Sequence, residues 1–114
     1  MRQELNAQDI VSDLNVKSIF FDYKTGLVNH IKQIRTCQTA FGIHGSQFMN
    51  IMWMKANSKI IEYVTGNNYY YENIAGLQNH EYTRATICNQ DCDAHSTNNG
   101  IIINNTKLKN FLRF

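Results

Sequence analysis

The residues best suited to chemistry lie together in Phe41-Gly42-Ile43-His44-Gly45-Ser46-Gln47-Phe48-Met49-Asn50. An imidazole and a hydroxyl stand beside glycines, where an apolar run stops and another begins. Gly42 and Gly45 let a backbone turn sharply and approach a ligand closely. The first turn of a helix offers unpaired N–H groups and a partial positive charge, so such a turn suits a phosphate or pyrophosphate. On this reading Ser46 caps the helix and donates to a phosphate oxygen, and His44 donates to a phosphate or a departing diphosphate. Asn50, one turn further on, is expected to hold the shape of the turn rather than to touch the ligand. Glycine at strand-to-helix turns is also ordinary in α/β proteins, and G-x-H-G falls short of a dinucleotide fingerprint, which the chain lacks.

Other residues enter more weakly. Glu62 closes an apolar strand, from where it can reach a cleft at the strand ends. Tyr69-Tyr70-Tyr71 could stack on a base or a sugar ring, although consecutive residues of a helix cannot all face one way. Cys88-x-x-x-Cys92 with His95 is incomplete for tetrahedral zinc, so no metal site is expected. His30 and His80 read as helix-surface or helix-end residues without a role.

Such a loop has to be held by a sheet, and the chain alternates between two periods as an α/β chain does. Residues 3–14 predict a short amphipathic helix through Leu5, Ile10, Val11 and Leu14. Residues 16–21 predict a strand. Thr25 is placed to cap a helix carrying Leu27, Val28, Ile31 and Ile34. A strand over 39–43 leads into a helix over 47–54 that is apolar on nearly all sides, with Trp53 and Met49, Met52 and Met54 read as core. A strand over 59–64 and a turn at 66–68 come next, then a helix over 69–79 and a strand over 82–88. Residues 89–100 read as loop, Ile101-Ile102-Ile103 as a very short strand, and Asn105 or Thr106 as the cap of a final helix. The expected fold is one α/β domain over 1–114. It is a Rossmann-like three-layer half with a mostly parallel sheet of four to five strands and helices on both faces.

Composition excludes some classes. The 114 residues, 43% hydrophobic and 18% charged, suit one folded domain rather than a disordered chain. A net charge of +2, without clusters of Lys and Arg among aromatics, gives no argument for nucleic acid. Three cysteines, with neither a secretory signal nor an apolar run long enough for a membrane span, predict no disulfide framework and a cytoplasmic protein.

With these residues in view, GIHGSQFMNIMWM, NSKIIEYV and YYYENIAGLQNHEY resemble the C-terminal part of family 61 glycosyltransferases. That family has a pattern close to G-x-H-G-A-G-x-x-N, an apolar helix, P-P-G-S, a strand ending in Glu and a helix opening on aromatics. Gly42, His44, Gly45 and Asn50 match the first block, Ser58 and Glu62 the second, and Tyr69, Tyr70, Ala75 and Tyr82 the third. Ser46 and Gln47 replace the usual small pair, and Lys55-Ala56-Asn57 replaces the Pro-Pro-Gly turn. The resemblance spans about residues 27–82.

It implies a fold of the GT-B kind whose C-terminal half binds a nucleotide-sugar donor through Gly42, His44, Gly45, Ser46 and Gln47, with Glu62 near the ribose. It implies transfer to an acceptor hydroxyl with inversion, no cofactor or essential metal, and a general base supplied from an N-terminal half. This chain would then be a fragment, a truncated gene or part of a split enzyme, completed by that half or by a second copy. A non-catalytic Rossmann-like module that has kept the fold and lost the chemistry is the alternative.

Overall fold

The computed structural model describes residues 6–14, 24, 26–65, 69–90, 92–98 and 100–112. The expected strand over 16–21, the Thr25 cap and the turn at 66–68 lie outside the described residues.

Among the described residues, four α-helices, α1 (Ala7–Leu14), α2 (Leu27–Arg35), α3 (Tyr70–Leu77) and α4 (Asn105–Phe111), accompany five strands. These are β1 (Thr39–Ile43), β2 (Lys59–Val64), β3 (Glu81–Cys88), β4 (Ala94–Thr97) and β5 (Gly100–Ile103). They form one curled sheet in the order β1-β2-β3-β4-β5, parallel from β1 to β4 and antiparallel at β5. The fold is therefore α/β with a mixed, mostly parallel sheet.

Strand β2 shows why the chain folds this way. All six residues of KIIEYV are buried, as in a central parallel strand covered on both faces. Its side chains alternate between the faces. Ile61 and Tyr63 join Ala85, Ile87, Ile101 and Ile103 in a cluster with Ile10 of α1 and Leu108 of α4. Ile60 points the other way, toward Ile34 of α2, Phe48, Ile51 and Met54, and Tyr71 and Ala75 of α3. Glu62 is two residues from Ile60 and so falls on this second face.

The segment after β1 is a 3₁₀ helix, Ser46–Trp53, and not the expected α-helix. Its period of three places Phe48, Ile51 and Met54 on the buried side, and turns Met49, Met52 and Trp53 outward at 37%, 41% and 39% exposure. Only Met54 of the four residues assigned to the core is there. Gly45, rather than Ser46, occupies the N-cap position.

The expected loop over 89–100 contains β4, which turns into β5 through a hairpin. The Thr97 hydroxyl donates to the Gly100 carbonyl at 2.9 Å, and Gly100 holds a φ of 149° that favours glycine. Ahead of β4, Cys88 and Cys92 form a disulfide with Cα atoms 5.9 Å apart, contrary to the expectation of no disulfide framework. The short turn after β3 brings the two cysteines together. Asp93 fixes that turn by accepting from the Thr86 backbone N–H at 2.8 Å and from its hydroxyl at 2.9 Å. His30 and His80, expected at the surface, are buried at 2% and 8% exposure.

The first described residue, Asn6, binds both main-chain groups of Ile103. Its Nδ2 donates to the carbonyl at 2.9 Å, and its Oδ1 accepts from the N–H at 3.0 Å.

Candidate functional site

The parallel strands β1, β2 and β3 all end near His44, Val64 and Cys88, and parallel sheets bind ligands beyond such carboxyl ends. His44 leaves β1 with its backbone still tied to the sheet, its N–H donating to the Tyr63 carbonyl at 2.8 Å. Its side chain is 32% exposed, and its Nδ1 lies 2.5 Å from Glu62 Oε2. Glu62 itself is 1% exposed. Its other oxygen, Oε1, accepts from the Tyr82 hydroxyl at 2.5 Å.

A buried carboxylate without partners costs several kcal/mol, so this one is tolerated because both oxygens are engaged. The register supplies the partners. Glu62 lies between Gly42 of β1 and Arg84 of β3, and Tyr82 sits one pleat earlier on the same face. Burial, and then the bond to Glu62, pushes the Tyr82 hydroxyl well above the usual tyrosine range, with Arg84 pulling weakly the other way. The hydroxyl therefore stays a donor.

The turn is held from α3. Tyr71 donates its hydroxyl to the Gly45 carbonyl at 2.7 Å, and its ring lies 5.1 Å from that of His44. Burial raises the pKa of this phenol too, followed by the charges of Tyr70 and Glu62. Tyr69 and Tyr70 remain exposed at 47% and 52%. The Arg84 guanidinium sits over the Tyr69 ring, 4.8 Å from its centroid, which adds a cation at the rim.

The glycines of the turn differ. A Cβ at Gly42 would rest against the Phe48 ring at 3.4 Å, the near limit of ordinary contact. At Gly45 an added Cβ would approach only the Ile43 carbonyl, at 3.9 Å, and a φ of 170° is extended backbone that any residue adopts. The fold does not require glycine there. Ser46 and Gln47 open the 3₁₀ segment and Asn50 is half-buried within it.

The structure thus brings Gly42, His44, Gly45 and Glu62 together. Glu62 faces its protein partners rather than open solvent. Arg84 does not stand out as a site residue in the sequence, Tyr71 stands out only as one of three tyrosines that could stack on a ring, and Tyr82 only as an aromatic match. The alternation of β3 beside β2 is the signal that could have found Tyr82 and Arg84.

A depression of about 380 Å³ opens at the opposite end of the sheet, lined among others by Arg35, Cys37, Lys55 and Lys59. The His44 turn, where an imidazole meets a buried carboxylate, is the stronger candidate. Among the described residues no helix is long and apolar enough to cross a membrane.

No curated protein and no solved structure matches the chain. Comparison with protein families matches residues 1–61 of the 114 to Glycosyltransferase 61. The matched part contains the whole turn from Gly42 to Asn50 and stops one residue short of Glu62. On that match, and with the histidine turn inside it, the chain belongs to the glycosyltransferase 61 family.

Proposed function

We propose that this glycosyltransferase chain is a donor-binding, Rossmann-like half of a GT-B enzyme, which seats the diphosphate of a nucleotide sugar on the turn Gly42 to Gln47. The observation that carries the reading is Gly45. The fold leaves open space where its side chain would stand, beside the N-terminus of a 3₁₀ helix and the half-exposed ring of His44. A glycine at a position whose backbone does not call for one suits close approach by a ligand, and N–H groups at a helix start suit an anion.

In this reading the Gly45 and Ser46 region meets the phosphates, and His44 donates to the departing diphosphate. Arg84 and Tyr69 form the rim. Glu62 acts on the donor through His44, since both its oxygens are already engaged. The sugar passes to an acceptor hydroxyl with inversion. The base that takes the acceptor's proton comes from an N-terminal half or a second copy, because an inverting attack comes from the side opposite the diphosphate.

Calorimetric titration of the pure chain with UDP, GDP, UDP-glucose and GDP-mannose tests this. Gly45→Ala is expected to leave the melting temperature unchanged and to weaken binding by about tenfold or more, the cost of about 1.4 kcal/mol of lost fit. His44→Ala is expected to weaken it similarly. Undiminished affinity in both variants would move the ligand elsewhere, and no binding at millimolar nucleotide would leave the chain a non-catalytic module.

A further inference from the structure

The disulfide between Cys88 and Cys92 lies outside both core clusters, at the carboxyl end of β3. Both cysteines are half-buried, and Asn89 and Gln90 of their turn are exposed. The bond is therefore a surface bond. It joins residues with a sequence separation of 4. A loop this short restricts the unfolded chain little, so the fold does not rest on it.

The turn is held by bonds that do not pass through sulfur. Asp93 Oδ2 accepts from the Thr86 N–H and hydroxyl, which ties the start of β4 to β3. The Gln90 carbonyl accepts from the Cys92 N–H at 3.0 Å and from His95 Nδ1 at 3.2 Å. His95 stands opposite Cys88 in the β3–β4 ladder. These contacts survive loss of the S–S bond, and they keep the two sulfurs within reach of each other.

The two sulfurs differ. The Gln90 N–H donates to Cys88 Sγ at 3.3 Å. Negative charge that forms on this sulfur is met by a donor already in place. The Gln90 carbonyl oxygen is equally near, at 3.3 Å, but its lone pairs are occupied by Cys92 and His95. Among the described residues no backbone N–H is directed at Cys92 Sγ.

We propose that Cys88 and Cys92 form a thiol–disulfide exchange site whose substrate is an external dithiol, with Cys92 as the sulfur attacked and Cys88 as the sulfur that leaves. A thiolate of the dithiol bonds to Cys92 Sγ, the S–S bond breaks, and its electron pair passes to Cys88 Sγ. The second thiolate of the dithiol then displaces Cys92 and closes its own disulfide. The chain has gained two electrons, and two protons from solvent complete its thiols. An external disulfide reverses the sequence. β3 and β4 pair at Ile87 with Ala94 and at Cys88 with His95, so the exchange decides whether this short ladder is covalently closed.

The test uses the full chain carrying Cys37→Ser, which removes the third thiol. Dithiothreitol is added without denaturant, and free thiols are counted by alkylation and mass measurement. Both thiols are expected within minutes with the circular dichroism unchanged, and glutathione disulfide is expected to restore the bond. A bond that yields only when the chain unfolds overturns the proposal, as does a reduced chain that loses its fold or fails to close again.

Single-cysteine chains then assign the sulfurs. Cys88 left alone by Cys92→Ser is expected to react with iodoacetamide at neutral pH about tenfold faster than Cys92 left alone by Cys88→Ser. Equal rates, or the reverse order, overturn the assignment of the leaving sulfur. Gln90→Pro removes the N–H that meets Cys88 and should erase the difference. Its fold is checked by circular dichroism, and the comparison of the two single-cysteine chains stands without it. A difference that persists in folded Gln90→Pro overturns the role of that N–H.

Discussion

The two faces of strand β2 are one residue apart in sequence and opposite in character. Ile61 and Tyr63 enter a cluster built from aliphatic side chains of β3, β4, β5, α1 and α4. Ile60 and Glu62 enter the other side, where aromatic hydroxyls, an imidazole and a carboxylate lie among the apolar residues of α2, α3 and the 3₁₀ segment. The first face rests mainly on packing around the buried Tyr63 ring. The second buries a carboxylate at a cost that its partners offset without making it a source of stability. Stability and chemistry are therefore separable by face, and substitutions can test the separation.

The largest effect is expected on the apolar face. Ile61→Ala removes a fully buried side chain and should cost about 2–5 kcal/mol in urea unfolding. A loss below that range would mean that the cluster collapses around the gap. Next comes the disulfide that closes the turn from β3 to β4, a turn flanked by Ile87 and Ala94 of the same cluster. Replacing both Cys88 and Cys92 by Ser should cost about 2 kcal/mol, as expected for so short a loop. Dithiothreitol should then lower the urea midpoint of the natural chain and leave the double variant unchanged.

On the polar face a pH dependence is expected in alkali. Folding raises the Tyr82 pKa above its ordinary 10.0, so the folded chain keeps a proton that the unfolded chain releases. The stability from this group is complete below pH 10 and is lost as pH climbs above it. Urea midpoints of the natural chain should fall more steeply above that pH than those of Tyr82→Phe, and parallel slopes would remove Tyr82 from the account. The smallest effect is expected at the outer side of the 3₁₀ segment. Met52→Gln, at 41% exposure, should change stability by less than about 0.5 kcal/mol.

Much of the frame is legible in the residues. The β-rich run of β2 and the existence of α2 and α4 are legible, but the buried side of α2 is not: Leu27 and Val28, read as part of its apolar face, are exposed, and His30 is buried with Ile34 instead. The period of the 3₁₀ segment is not legible either. With apolar residues at nearly every position from Phe48 to Met54, periods of three and of 3.6 fit equally, and only packing against the sheet selects one. Strand β4, Ala-His-Ser-Thr, lacks any strand pattern and exists because β3 and β5 flank it. The Cys88–Cys92 bond depends on a Cα separation set by the turn, which no spacing rule supplies.

The turn around His44 is legible as a place, and the family resemblance gives that place a chemistry. Its wiring is not legible. That Glu62 faces inward comes from β2 being covered on both faces, and the role of Tyr82 comes from register across two strands. Both are facts about neighbours in space.

At the far edge of the sheet, Asn6 occupies part of the edge that a strand of another copy would use. Its carboxamide carries the same donor and acceptor as a peptide group, and it meets Ile103 as a neighbouring strand would. The last strand of the sheet is thereby denied a free rung at that position, and free rungs are what recruit the strand of another molecule. Asn6 is a borrowed segment of backbone, one residue long. An Asn6→Ala chain should keep its fold and associate more readily than the natural chain, with light scattering at rising concentration giving the first sign.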